Sequence, residues 1–330
     1  MELSRLLAEL ADGDFHSGEE LGVALGVSRT AIWKQLQKLD EVGLKIESIK
    51  GRGYRLPGGY CPLDEDAIQR GLSPAAKRLL SALYVEQQIN STNTLLADKA
   101  RRGDTSGAVC VAEQQTAGRG RLGRQWVSPY GRNLTFSVLW EFHNGAAALE
   151  GLSLAVGLAV AEALQGMGVA GLGLKWPNDV LCEGRKLAGV LLEMQGDAAG
   201  RCQVIIGIGL NVNLPDDSPI DQAWTDLQRQ GYSDSNRNQL LAALLNRLLP
   251  MLAEFQQDGF VEFKDRWLAF DALGDEPAEL RRGDEIVAGT CRGVAANGAL
   301  RFETDRGIEL ISGGEVSLRR RQGERENRGA

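Results

Sequence analysis

The segment Pro57-Gly-Gly-Tyr-Cys-Pro62 divides this chain. Two prolines and two glycines within six residues neither continue a helix nor pair as a central strand, so the parts on either side must fold separately. The 330-residue length is also too great for one ordinary core; roughly 100–200 residues per domain predicts two or three. Hydrophobic residues make up 43% and charged residues 25%, which is enough apolar surface for packed domains rather than a disordered chain.

Before the break, charge is unevenly placed. Residues 1–25 carry one Arg and six acids, whereas residues 26–55 carry seven Lys/Arg against three acids. Leu3, Leu6, Leu7 and Leu10 have helical spacing, and Gly13 ends that run. Ser17 and Glu20 form a capping box that opens a second helix through Leu21 and Leu25 to Gly26. Ser28 caps a third helix, with Ile32, Leu36 and Leu39 inward and Arg29, Thr30, Trp33, Lys34 and Gln37 on or beside the outer face. Helix, glycine turn and basic helix are the helix-turn-helix arrangement. Leu44–Ile49 and Tyr54–Leu56, joined by Lys50-Gly-Arg-Gly53, read as a β-hairpin wing whose Lys50 and Arg52 reach a backbone phosphate. A small packed cap with a solvated basic face would share the basic helix, but not the whole set of cap, turn, basic face and wing.

After residue 80 strands and helices interleave. Ala108–Glu113, Leu134–Trp140, Leu187–Met194 and Cys202–Asn213 read as strands; Thr94–Arg101, Leu149–Met167, Asn238–Gln257 and Val261–Leu268 read as helices. This predicts a mixed sheet with helices against one face. Gln114–Trp126 contains Gly118, Gly120 and Gly123 in G-x-G-x-x-G spacing, yet Pro129 and Gly131 forbid the long helix that a dinucleotide fold needs next. What remains is a loop with Arg119, Arg121 and Arg124, expected to repel itself and move until an anion orders it. Lys175-Trp-Pro-Asn-Asp179 and Arg185-Lys-Leu-Ala-Gly189 bring Lys175 and Lys186 together with Asn178 and Asp179, oxygen donors suited to Mg²⁺. Gly207-Ile-Gly-Leu-Asn-Val-Asn213 suggests close approach of backbone to a ligand, with Asn211 available to a polar ring edge and Trp224, in the following loop, available to stack on a flat base. Taken singly, these segments read equally as a basic surface loop, a charged hairpin turn and a loop anchor.

Several function classes drop out. Two histidines do not make a multi-histidine metal centre, and no Ser/His/Asp or Cys/His nucleophilic set can be assembled. The five scattered cysteines, never spaced as C-x-x-C, argue for a reducing, cytoplasmic setting. The first residues carry acids where a secretory leader carries basic ones, and no run of about 18 apolar residues offers a membrane span. A net charge of −7 excludes a chain that coats nucleic acid with its whole surface, though not a local basic face. Chemistry without an enzyme nucleophile remains: positioning and electrostatic stabilisation of a phosphoryl centre.

In this order, the segments resemble the bifunctional biotin–protein ligases that double as biotin operon repressors. The resemblance is carried by Ser17–Leu39, Asn90-Ser-Thr-Asn-Thr94, Gln115 with Gly118–Arg121, Lys175–Asp179, Arg185–Gly189, Gly207–Asn213 and Gly313-Gly-Glu-Val-Ser-Leu-Arg319. It implies an α+β multidomain chain: a winged helix-turn-helix over 1–60, a ligase-type mixed α/β sheet over 61–272, an SH3-like barrel over 273–319 and a disordered basic tail over 320–330. Ser91, Thr92, Asn93 and Gln115 are similar to the polar contacts of a biotin pocket, closed by Gly118, Arg119, Gly120 and Arg121. Lys186 resembles the lysine beside the biotin carboxylate and the reacting phosphate, so that Lys186, Arg121 and Arg119 are the implied catalytic groups. Arg121, Arg124, Lys175, Asn178, Asp179, Asn211, Trp224 and Arg319 are implied at ATP or its adenylate, with Asn178 and Asp179 toward Mg²⁺. Leu122 stands where some members carry another arginine.

The resemblance further implies that biotin and ATP give biotinyl-AMP and diphosphate, and that a lysine of biotin carboxyl carrier protein then displaces AMP. Other implied partners are operator DNA, met by Ser28, Arg29, Thr30, Trp33, Lys34, Gln37, Lys50 and Arg52, and a second copy of the chain when adenylate is bound; no membrane is involved. Two other readings stay open at this stage: a ligand-sensing repressor without catalysis, and a lipoate-type ligase.

Overall fold

A computed structural model describes residues 3–143, 145–196, 202–232, 236–313 and 316–320. The N-terminal unit consists of α1 (Leu3–Glu9), α2 (Gly18–Leu25), α3 (Arg29–Glu41) and a hairpin of β1 (Glu47–Ile49) and β2 (Gly53–Arg55). Its helices close on Leu6, Leu7, Leu10, Leu21, Ile32, Leu36 and Leu39. Both expected caps form: Ser17 Oγ accepts from Glu20 N at 3.1 Å while Glu20 accepts from Ser17 N at 2.7 Å, and Ser28 Oγ accepts from Ala31 N at 3.3 Å. Gly26 ends α2 in the left-handed region at φ 68°. Ser17→Ala should destabilise this unit by about 1 kcal/mol, read as a lower urea midpoint with an unchanged slope.

The wing is shorter than expected, because Leu44 and Leu56 turn into the core instead of extending the strands. His16 exchanges backbone bonds with Tyr54 beside the hairpin, at 2.9 and 2.8 Å. Gly53 makes this possible: a Cβ there would lie 2.1 Å from the His16 carbonyl oxygen.

The segment after the wing is stapled rather than loose. Tyr60 N donates to the Ala11 carbonyl at 3.0 Å, and its ring lies 6.2 Å from that of Tyr130, which joins the N-terminal core. Fully buried Arg237 pairs with fully buried Glu113 and donates to the Cys61 carbonyl at 2.6 Å. Glu113 also accepts from Leu63 N at 2.7 Å. Burial, followed by the nearby Glu113 charge, pushes the Tyr130 phenol up to about 12.

The central region runs α4 (Glu65–Gly71), α5 (Pro74–Leu79), β3 (Ala82–Ile89), α6 (Thr92–Arg101), β4 (Ala108–Gln115), β5 (Asn133–Phe142), α7 (Leu152–Gly166), β6 (Leu172–Lys175), β7 (Asp179–Cys182), β8 (Arg185–Gly196), β9 (Cys202–Asn211), α8 (Arg237–Asp258) and α9 (Lys264–Leu268). The strands form one seven-stranded mixed sheet in the order β3-β4-β5-β9-β8-β7-β6, in which only β3 and β4 pair in parallel. The expectation of helices on one face is corrected by strand parity. Val109, Val111, Val138 and Ile206 face the large core under α7 and α8, whereas Ala108, Cys110, Leu139 and Ile205 face a second core under α6. Helices therefore cover both faces, and continuous apolar runs in β4, β5 and β9 are what burial on both sides demands.

At the C-terminal end, β10 (Pro277–Arg282), β11 (Glu285–Val294), β12 (Leu300–Thr304), β13 (Gly307–Ile311) and β14 (Val316–Arg320) form an antiparallel sheet in the order β13-β12-β11-β10-β14. Edges β13 and β14 do not pair, so among the described residues the expected barrel is an open five-stranded sheet. Trp176 Nε1 donates to the Gly298 carbonyl at 3.1 Å and ties this sheet to the central one. Gly314, Glu315, residues 321–330 of the tail and Asn144 lie outside the described residues. No helix among the described residues is long and apolar enough to cross a membrane.

Candidate active site

One cavity gathers most of the nominated residues. Ser91, Thr92 and Asn93 enter from the start of α6, Gln115 from the end of β4, Arg119–Arg121 from the glycine loop, Asn178 from the β6–β7 turn and Lys186 from β8. Phe136, Val190, Leu191 and Ile208 give it an apolar floor. Ser91 occupies the N-cap of α6 without capping it by its side chain. The sequence therefore spends a good capping residue on the cavity instead.

The polar wall is a continuous hydrogen-bond chain. Gln115 Oε1 accepts from Thr92 N at 2.7 Å and lies 2.9 Å from Thr92 Oγ1, whose single proton goes to Ser137 Oγ. Thr92 Oγ1 lies 2.7 Å from Ser137 Oγ, which donates to Asn93 Oδ1 at 2.5 Å. Asn93 Nδ2 reaches Glu193 at 2.7 Å. Thr92, Asn93 and Ser137 are almost fully buried, so their bonds fix side-chain orientation in a low-dielectric wall.

The opposite wall is cationic. Asp179 holds Lys186 Nζ at 2.7 Å and Lys175 Nζ at 3.6 Å, and Arg121 Nη1 donates to Asn178 Oδ1 at 3.0 Å. Burial pulls the Lys175 ammonium down from its ordinary value against the opposing pull of Asp179, with Lys186 and Arg319 adding to the fall. Burial likewise lowers Arg121. Lys186 and Arg121 thus line the cavity, with Lys175 behind them sharing Asp179 with Lys186, which is an environment that favours an incoming anion. Asp179 is occupied by ammonium groups and the Asn178 amide spans Arg121 and the Val190 carbonyl, at 2.8 Å for the latter. This pair is therefore not a ready-made cage for Mg²⁺, and the described residues contain no other cluster of three metal-ligating His, Cys, Asp or Glu.

Arg119 Nη2 meets both Glu193 oxygens at 2.9 Å, and Arg119 Nη1 donates to Thr94 Oγ1 at 3.0 Å. Arg121 also donates to the Val316 carbonyl at 3.2 Å. Two of the three arginines thus have side-chain partners within the protein, while Arg124 is exposed and lies outside the cavity lining. Leu122 takes left-handed backbone at φ 57°, a conformation costly for leucine.

Three further residues sit beside the cavity. Asn211 is buried beneath it, donating to the Thr225 carbonyl at 3.0 Å, and so fixes the segment that carries Trp224. Trp224 is bridged to Lys186, with Arg229 over one face of its ring at 4.2 Å. Arg319 is exposed on β14, close enough to Lys175 to act on its charge.

The sequence reading missed Trp126, Ser137, Thr94 and Glu193. Trp126 lines the cavity with its Nε1 buried and unpartnered. A legible signal was the facing pair Gly189 and Gly209, whose missing side chains leave a slot for the indole. A Cβ on Gly209 would lie 2.3 Å from that ring, and one on Gly207 would lie 2.4 Å from Asn93 Oδ1. The glycines thus admit side chains of the pocket wall, and Gly207 and Gly209 themselves line the cavity. A second, more apolar cavity of about 350 Å³ adjoins the first through Arg121 and Asn178, at the seam with the C-terminal sheet.

On the N-terminal unit, Ser28, Arg29, Thr30, Trp33, Lys34, Gln37, Lys50 and Arg52 are all exposed, Trp33 by 53%. Arg52 stacks over Phe15 at 4.2 Å, which holds the wing tip against the segment before α2.

The architecture is a winged helix-turn-helix joined to a ligase-type mixed sheet that bears a buried anion pocket. Residues 84–211 match the biotin/lipoate A/B protein ligase family, residues 2–55 an HTH domain and residues 275–319 the biotin protein ligase C-terminal domain. The bifunctional ligase/repressor BirA of Salmonella typhimurium is 42% identical, over 95% of this chain and 96% of its own length; that of Escherichia coli is 40% identical over 96% of each. A biotin protein ligase from Aquifex aeolicus, solved with biotin and ATP, superposes with TM-score 0.63 at 33% identity, covering 73% of this chain and all of its own. The chain belongs to the biotin/lipoate protein ligase family, in its helix-turn-helix-bearing branch.

Proposed function

We propose that this chain is an ATP-dependent biotin–protein ligase that also represses transcription in response to biotin. The observation that carries the reading is the joining, in one cavity, of a urea-compatible wall (Thr92, Gln115) to a cationic wall (Arg121, Lys186), with Lys175 behind it on Asp179, on a chain with an exposed basic recognition helix. Biotin's ureido ring bonds to Ser91, Thr92 and Gln115, and its valeryl chain runs along Trp126. The carboxylate oxygen then attacks the α-phosphorus of ATP, a P–O bond forms, and diphosphate leaves with the bond electrons. Lys186, Arg121 and Lys175 stabilise the charge that builds on the phosphoryl oxygens. Mg²⁺, brought with ATP, would supply further positive charge against the phosphates, beside Asn178 and Asp179. In the second step a lysine amine of biotin carboxyl carrier protein attacks the anhydride carbonyl, forms the amide and releases AMP. Asn211 acts by positioning the Trp224 segment at the adenine, and Arg124 and Arg319 add positive potential at the phosphates.

The domain division that fits this reading is 1–60, 61–272 and 273–319, the last a sheet of SH3-like type. Adenylate-loaded copies pair as a homodimer and present two recognition helices to a palindromic operator. The chain works in the cytoplasm.

Mass spectrometry of the protein after incubation with biotin, Mg²⁺ and ATP should find retained biotinyl-AMP. Retention of a lipoyl adenylate from a parallel incubation with lipoate, and none from biotin, would reassign the substrate. Binding of ligand without adenylate would leave a sensor only. Lys34→Ala should weaken operator binding and lower the slope of log affinity against log salt by about 1, measured by gel shift across a salt series; an unchanged slope removes Lys34 from the phosphate contacts.

A further inference from the structure

The hydrogen-bond chain of the polar wall ends on a carboxylate that the two-step reaction does not use. Glu193 lies on β8, 74 residues from Arg119 in the chain. It receives Asn93 from the wall and Arg119 from the glycine loop at once. The path therefore leaves the sheet at Gln115, passes Thr92, Ser137, Asn93 and Glu193, and returns to the loop at Arg119. It girdles the cavity. Removing this carboxylate takes from Arg119 the two oxygens that hold it, and the loop loses its tie to β8.

We infer that Glu193 is the latch of the glycine–arginine loop: a positioning residue that holds the loop shut over the cavity, coupled to the ligand through Asn93, Ser137 and Thr92. The coupling rests on the ligase reading above. A ligand that offers both an N–H and a carbonyl to Gln115 and Thr92 fixes those side chains, and through them the orientation of Asn93 and the carboxylate. Closure then persists for as long as the ligand stays, and the labile anhydride is kept from water between the two steps. Since the pair is half-exposed, its worth is modest, and its effect belongs on the lifetime of the closed state rather than on binding of the first substrate.

The test uses the full chain carrying Glu193→Gln, which keeps the shape and removes the charge. In ligand-free protein, trypsin should cut after Arg119, Arg121 or Arg124 several-fold faster than in wild type, as read by mass spectrometry of the fragments. In protein preloaded with biotin and Mg²⁺-ATP, adenylate release, followed by Trp126 fluorescence, should quicken by about fivefold. Thr94→Val removes one bond to Arg119 and leaves the carboxylate in place; it should move both readouts the same way by a smaller factor. It also serves if Glu193→Gln fails to fold. Met194→Ala, the exposed neighbour on β8, should change neither. If both cleavage and release stay at wild-type rates in the folded variants, Glu193 is a structural carboxylate and the latch is overturned. If wild type forms no adenylate, the ligase reading fails instead, and the ligand-free cleavage still decides the latch.

Discussion

Lys186→Ala should lower biotinyl transfer to a carrier domain by about two to three orders of magnitude, the usual loss when one preorganised donor to a developing charge is removed. Lys186 lines the cavity directly, 2.7 Å from Asp179, with its ammonium 5.7 Å from the centre of the Trp126 ring. Its removal leaves Asp179 with Lys175 as its ammonium partner. Lys175 cannot take over: it does not line the cavity, and burial already disfavours its charge. Lys186→Arg keeps the charge in a planar, longer group and should recover only part of the rate. Transfer of radiolabelled biotin measures the whole sequence, and diphosphate release measures the first step alone. A Lys186→Ala protein within about threefold of wild type in both assays would place the reacting phosphate elsewhere.

What the sequence discloses depends on how local each interaction is. The caps at Ser17 and Ser28, the inward stripe of α3 and the glycine at position 26 are near-neighbour effects, and all three form as read. The long apolar strands β4, β5 and β9 show themselves by composition. β3 hides because Glu86, Gln87 and Gln88 interrupt its pattern, and β6 and β7 because they have four residues each. The side of the sheet taken by α6 is a matter of parity between distant strands, which no local window reports. The site divides in the same way. Residues in compact, chemically loaded segments (Lys175–Asp179, Arg185–Gly189, Gly118–Arg121) were legible. Trp126, Ser137 and Glu193 come from segments that look like ordinary loop or strand, and gain meaning from partners tens of residues away: Asn93 from Ser137 by 44, Arg119 from Glu193 by 74. The partner that the basic loop finds for Arg119 lies on a strand that follows it much later.

The largest effect on stability is expected at Arg237→Ala, where about 3–5 kcal/mol should be lost. Burial alone would lower the Arg237 pKa, yet the Glu113 carboxylate outweighs it and holds the guanidinium charged. Truncation strands Glu113, which is 1% exposed, with Leu63 N as a remaining donor. It also frees the Cys61 carbonyl and removes the cation 5.3 Å from the Tyr60 ring. These are the contacts that seat the Pro57–Pro62 segment on the central sheet, so the loss should appear twice. The global urea midpoint falls, and the N-terminal unit begins to unfold as a separate, earlier transition, visible by circular dichroism and by proteolysis near residue 60. Restoring charge balance separates the two causes. Glu113→Gln combined with Arg237→Met leaves no buried charge and should regain much of the global midpoint, because an ion pair replaced by neutral groups of similar volume is often nearly neutral in stability. It does not rebuild the bond to the Cys61 carbonyl, so the early transition should persist. Were the double variant as unstable as Arg237→Ala in the global transition, desolvated charge would not be the cause, and packing around Tyr60 and Tyr130 would carry the effect.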